Sequence, residues 1–244
     1  MKKLKTTDII SYVEENISSF HENRIKKLKG LKLKKVLKRK NPYLFKAKNI
    51  LQAQELVKKL LDAYLSSQEE TIFGEFLEGL AIFICSRVYS GYKSSAEGID
   101  LEFRKDRLHY IVSIKSGPNW GNSQQIKKMI DNFNKAKKIL KTSNHKINIQ
   151  AINGCCYGIE DSPDKKEDYK KLCGQRFWAF ISDDANLYTE IIEPIGYKAK
   201  EKNNHFYEVY SQIVNDFTQK FMKDFCINGV INWKKLVEFN SAKN

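Results

Sequence analysis

Residues 98–122 read GIDLEFRKDRLHYIVSIKSGPNWGN, and their periodicity decides the fold class. Ile99, Leu101 and Phe103 alternate with Asp100 and Glu102. Tyr110, Val112 and Ile114 alternate with Ile111, Ser113 and Lys115. A two-residue period marks half-buried strands. A two-residue turn at Lys105-Asp106 predicts Arg104 opposite Arg107, and hence Asp100 opposite Ile111. Facing residues point to the same side of a sheet, so Asp100, Ser113 and Lys115 are expected on one face.

That face carries chemistry. Cleaving a phosphodiester with water needs a divalent cation to neutralise the phosphate, carboxylates to hold the cation, and a group to manage the nucleophile. An Asp on one strand and a Lys on its neighbour supply much of this in little space. Asp100 would bridge cation and phosphate, the backbone carbonyl of Ile114 would complete the cation's shell, and Lys115 would orient or deprotonate the attacking water. The pattern alone is weak. In unrelated hairpins the same spacing gives a solvent-facing strand lysine and a surface turn acid.

Outward from the hairpin, helical spacing dominates. Thr7 or Asp8 can cap a first helix that runs to about Lys29, with Ile9, Ile10, Val13, Ile17 and Phe20 on one side and Gly30 as a stop. Asn41-Pro42 marks a turn before Tyr43-Leu44-Phe45. A second helix is expected over roughly 50–66, and a third, apolar on most sides, over roughly 70–89. After the loop SGPNWGN, Ser123 can cap a helix to about Lys141, with Ile126, Met129, Ile130, Phe133 and Ile139 at helical spacing. Strands are expected near 146–153 and 176–181, separated by the irregular acidic stretch SPDKKEDYKK. A short helix after Asp184, a long one near 206–225 and a last one from about Asn232 complete the chain. The reading is α/β, with a mixed central sheet flanked by helices and an added helical N-terminal region. Residues 1–68 are expected as a helical, basic region and 69–244 as the core with its C-terminal helices, the whole as one compact unit.

The 244 residues carry 43 Lys and Arg against 29 Asp and Glu, a formal +14. Twelve of those cations and no acid lie between Arg24 and Lys48, which leaves 31 against 29 elsewhere. A basic run interleaved with Leu, Val, Tyr and Phe can bury its apolar side and turn the other to a polyanion. A nucleic-acid backbone is the expected partner, bound with strong salt dependence; a solvated lysine-rich helix is the bland alternative. Arg39 and Lys40 are the chosen backbone clamps. The N-terminal segment lacks the uninterrupted apolar stretch of a signal peptide, because Asp8 and Glu14 intrude. Glu75, Glu78 and Arg87 interrupt the most apolar helix, so no membrane span is expected. The five cysteines form no CxxC pair, which fits reduced, buried thiols in a cytoplasm. The four histidines lack zinc-site spacing. Neither GxGxxG nor GxxxxGK[ST] is present, so nothing supports ATP-driven action.

KSSAEGIDLEF (93–103) and VSIKSGPNWGN (112–122) resemble the core of the PD-(D/E)XK nuclease superfamily, and more closely the PmeII-type group of type II restriction endonucleases. KRKNPYLFKAKN (38–49) and the Gly-Glu-Phe-Leu-Glu helix (74–78) extend the resemblance over roughly residues 34–130; QRFWAFIS (175–182) adds a fainter likeness. The resemblance implies a bacterial, cytoplasmic enzyme that cleaves double-stranded DNA at a short site with Mg²⁺, for which Mn²⁺ would substitute. It further implies a homodimer and a cognate DNA methyltransferase that protects the host. Alternatives are another nuclease of this superfamily, acting in repair or junction resolution, and a catalytically inactive DNA-binding protein. Two departures stand out. Ile99 replaces the proline that names the superfamily, and Ser113 replaces the acid that pairs with the Asp. A neutral hydroxyl is a poor Mg²⁺ ligand, so the resemblance places the second acid at Glu78, with Glu75 and Glu102 as alternatives. For DNA contact the choices are Lys93, Ser94 and Ser95 before the Asp strand, and Asn119, Trp120, Asn122, Gln124 and Gln125 after Lys115. Trp120 serves better as a brace for its loop than as a stacking partner for a base.

Overall fold

The computed structural model describes residues 4–143, 145–160 and 168–243. In chain order the elements begin with α1 (Thr6–Lys29), α2 (Leu33–Lys38), α3 (Pro42–Ala47) and α4 (Ala53–Tyr89). The sheet strands β1 (Tyr92–Lys93), β2 (Leu101–Lys105) and β3 (Leu108–Lys115) follow, then α5 (Ser123–Ser143), β4 (Asn148–Cys155) and β5 (Lys170–Cys173). After them come α6 (Gln175–Ser182), α7 (Leu187–Glu190), α8 (Ile192–Ile195) and α9 (Ala199–Phe225). The chain ends in a hairpin of β6 (Cys226–Ile227) and β7 (Val230–Ile231), and α10 (Trp233–Ser241). Most of the acidic stretch SPDKKEDYKK, residues 162–167, lies outside the described residues.

The chain divides into two compact units. One holds residues up to Ile17 with Phe73–Tyr197; the other holds Ser18–Ile72 with the chain from Lys198 onward. Residues 198–244, read from sequence as part of the core, therefore cluster with the basic region.

In the first unit a five-stranded sheet has the order β1-β2-β3-β4-β5. Its first three strands are antiparallel, and β3, β4 and β5 are mutually parallel. Such a mixed sheet needs a crossover between β3 and β4, and α5 provides it. Met129, Phe133 and Ala136 of α5 pack on Ile99, Ile111 and Ala151. Ile139, expected on that face, is exposed.

The hairpin register differs from the expectation by two residues. Asp106 and Arg107, not Lys105 and Asp106, form the turn, and both have positive φ (50° and 64°). A two-residue turn of this hand matches the right-handed twist of its strands. Lys105 therefore faces Leu108, and Leu101 faces Val112. An even shift preserves which side each residue points to, so Asp100, Ser113 and Lys115 keep their common face.

Three other expectations change. The two helices expected across residues 50–89 are one helix, α4, of 37 residues. The polar tract SSQEET contains neither Gly nor Pro, and Gln and Glu are good helix formers. The strand expected at 176–181 is α6. Phe177, Trp178 and Ile181 are buried, and a short apolar run cannot distinguish a buried strand from a buried helix by periodicity. The strand of this region is β5, which ends two residues before α6 begins. Asn41 caps a helix where a turn was expected: its side chain accepts from the N–H groups of Tyr43 (3.0 Å) and Leu44 (3.4 Å), with Pro42 at the first helical position.

In the second unit Leu33, Val36, Leu37 and Phe45 of the basic segment pack with Phe217, Phe221, Phe225 and Leu236. The segment buries its apolar side there while Lys34, Lys35 and Lys38 stay exposed.

Candidate functional site

The candidate cluster sits where α4, β2 and β3 meet. Asp100 immediately precedes β2, and its N–H donates to the carbonyl of Val112 (2.8 Å). Its carboxylate Oδ2 accepts from the N–H of Ile114 (2.6 Å) and lies 3.5 Å from the donating Oγ of Ser113. Lys115 Nζ lies 3.7 Å from the same oxygen and donates to the carbonyl of Ile114 (2.9 Å). The ammonium also stands 5.3 Å from the ring centroid of Trp120, within cation–π range. Three different attractions thus hold the end of a flexible side chain. Ser113 is 1% exposed, so its side chain is enclosed beside Asp100.

Glu78 reaches the cluster from α4. Burial raises its carboxyl above the ordinary range, and the Asp100 charge raises it further; Lys93 and Lys115 pull it back. Its Oε1 is 3.4 Å from Lys93 Nζ. Gly74, one turn earlier, permits this approach, since a Cβ there would run into Ser116 Oγ.

The other two acids are placed differently. Glu75 is exposed. Glu102 is buried, and its carboxylate accepts from Ser94 Oγ (2.5 Å) and Tyr92 Oη (3.1 Å) and contacts His109 Nε2 (2.8 Å). These partners occupy its oxygens and tie β1 and the following turn to the hairpin. His109 joins this cluster without any sequence motif that marks it. The alternation of the hairpin would have put it on the Glu102 face, but a scattered histidine carries no motif.

Asp100, Glu78 and the Ile114 carbonyl make an all-oxygen donor set. Mg²⁺ is usually held by one or two carboxylates with waters and substrate phosphates, so these residues fit it. Among the described residues no group of three or more His, Cys, Asp or Glu side chains forms a fuller metal cage.

The loop after Lys115 is built more tightly than its composition suggested. Asn122, not Ser123, caps α5. Its Oδ1 accepts from Gln125 N–H (3.0 Å), while Gln125 Oε1 accepts from Asn122 N–H (3.0 Å). This reciprocal cap occupies two side chains chosen for DNA contact. Asn119 and Gln124 are exposed, and Trp120 is half-buried against the α5 cluster. Lys171, absent from the sequence-based choices, donates to the carbonyl of Pro118 (3.1 Å). It lies in the stretch read as irregular, where nothing flagged it. Ser94 Oγ also accepts from Ala96 N–H (3.0 Å), and Ser95 is exposed.

Arg39 and Lys40 belong to the second unit. Arg39 is exposed at the end of α2, and Lys40 Nζ donates to the carbonyl of Ala63 (3.2 Å). All five cysteines are free thiols. Burial pushes Cys85 and Cys156 up to about 12, which keeps these two as thiols at neutral pH. Among the described residues no helix is long and apolar enough to cross a membrane.

The family model for the type II restriction endonuclease EcoO109I matches residues 7–203. No curated protein matches the chain.

Proposed function

Because the chain belongs to the EcoO109I family of type II restriction endonucleases, we propose that it hydrolyses double-stranded DNA at a specific sequence with Mg²⁺, through Asp100, Glu78 and Lys115. Family membership implies a site-specific nuclease acting on DNA; the residues and the metal are our reading. The observation that carries it is the convergence of Asp100 and Lys115 (3.7 Å) beside Glu78, whose carboxyl is raised by burial first and by the Asp100 charge second. An acid raised by burial and then by a neighbouring carboxylate, next to one lysine, forms a place prepared for added positive charge.

Asp100, Glu78 and the Ile114 carbonyl would hold the ion, which would neutralise the phosphate and acidify a bound water. The N–H of Ile114 fixes one Asp100 oxygen and so sets the angle of the other. Lys115 would leave the Ile114 carbonyl to orient the attacking water or take its proton. Trp120 limits where that ammonium can go. Ser113 contributes a hydroxyl in the place where the superfamily pattern has an acid, and Glu78 supplies the missing charge. The PD-(D/E)XK assignment, and within it the PmeII-type likeness of 93–103 and 112–122, accords with this arrangement. A homodimer would present two such sites to the two strands, and a methyltransferase encoded nearby would protect the host DNA.

The test is digestion of a plasmid of known sequence with purified protein, with Mg²⁺ and with chelator. Discrete fragments with Mg²⁺ alone are expected. Asp100→Asn, Glu78→Gln and Lys115→Ala should each lower cleavage by at least about 100-fold, roughly 2.7 kcal/mol or more in the barrier, while duplex binding persists. Ser113 favours one rival, an inactive DNA-binding protein. A wild type that binds duplex but never cuts it, with either Mg²⁺ or Mn²⁺, would establish that rival.

A further inference from the structure

Ligands of open α/β sheets gather outside the carboxyl ends of parallel strands, and here β3 and β4 end side by side. The β3 loop carries the residues after Lys115. The β4 loop, residues 156–160, is fastened to it. Cys156 N–H donates to the carbonyl of Lys115 (2.9 Å), and Tyr157 N–H to that of Ser116 (3.0 Å). Contact between the loops is close enough to exclude side chains. A Cβ on Gly117 would strike the Tyr157 ring, and one on Gly158 would come within 2.5 Å of Pro118. Gly158 also has φ +90°, which side-chain-bearing residues rarely adopt. Lys171 joins both loops, donating to Pro118 O (3.1 Å) and pairing with Glu160 (2.8 Å).

This braced loop nonetheless turns its largest side chains outward. Tyr157 is 54% exposed and Ile159 is 84% exposed. A single surface hydrophobe needs no explanation. Two of them, on a loop hydrogen-bonded to the residue that follows the active-site lysine, form a rigid apolar edge beside a cationic site. Apolar side chains recognise the thymine methyl in the major groove, or wedge between base steps. We infer that Tyr157 and Ile159 are a base-contacting element, touching duplex DNA next to the phosphate presented to Lys115. The position of that phosphate rests on the endonuclease reading; the apolar edge does not.

The experiment selects binders from random duplex oligonucleotides, with Ca²⁺ replacing Mg²⁺ so that the DNA stays intact. It compares wild type, Tyr157→Ala/Ile159→Ser, Ile159→Ser alone and Ile192→Ser, whose side chain is also exposed (65%) but lies in α8. Wild type and Ile192→Ser should select one consensus. The double variant should lose selectivity at one or more of its base pairs and bind the wild-type consensus about 10-fold or more weakly, and the melting temperature of Ile159→Ser should match that of wild type. Ile159→Ser removes a side chain from water and not from the core, so it should show a smaller loss in the same direction. An unchanged consensus bound with unchanged affinity by both variants would overturn the inference, as would a wild type that selects no consensus. If wild type binds its consensus through these residues but leaves a plasmid containing it uncut with Mg²⁺, the endonuclease reading falls and the inference stands.

Discussion

At the scale of residues, the site is a balance between two acids and the cations around them. Glu78 is raised above the ordinary carboxyl range, so the folded chain holds its proton more tightly than the unfolded chain does. Stability linked to this group is greatest below the ordinary carboxyl range and falls as pH rises through the raised value. Glu78→Gln should therefore melt higher than wild type at neutral pH without divalent ions, with the gap closing in acid. A second measurement tests the proposed metal. Added Mg²⁺ should raise the melting temperature of wild type by mass action, and that of Glu78→Gln much less. Equal responses would remove Glu78 from the ion. Ser113→Glu places an acid beside Asp100 at a position that is 1% exposed. It should cost stability without metal, because buried charge must be paired, and regain part of that with Mg²⁺.

At the scale of elements, the two departures from local pattern share a cause. Helix α4 crosses a polar tract that reads as a break, and α6 occupies a run that reads as a strand. In both places local composition is ambiguous and packing decides. Gly154 of β4 shows how: a Cβ there would drive into the Phe177 ring of α6. Gly154→Ala should lower stability by about 1–3 kcal/mol, the usual cost of overpacking a core, seen as a lower urea midpoint. A wild-type midpoint would mean that α6 does not press on β4 as described. The hairpin shows the opposite case. Its turn lies one residue later than expected, but because side chains alternate, the two-residue change of register left the site face intact.

At the scale of the whole molecule, charge and chemistry are separated along the chain. The basic segment belongs to the second unit and the hairpin to the first. If Arg39 and Lys40 clamp phosphates, Arg39→Ala/Lys40→Ala should lower the slope of log affinity against log salt by up to about 2. Binding should weaken for all sequences alike, since phosphate contacts carry no sequence information. A wild-type slope would leave Lys40 with its bond to the carbonyl of Ala63 and take both cations out of phosphate contact.

The sequence by itself determined the mixed α/β class, the common face of Asp100, Ser113 and Lys115, and the concentration of positive charge between Arg24 and Lys48. Each is local: alternation, helical spacing and charge can be counted within a short window. Only the tertiary structure decided that Glu78 joins Asp100 while Glu102 is taken up by Ser94, Tyr92 and His109, that Asn122 and Gln125 cap a helix, and that Lys171 braces the loop after Lys115. Those outcomes depend on which distant segments come together, since a polar atom's hydrogen-bond partner is chosen by packing and not by its neighbours in the chain.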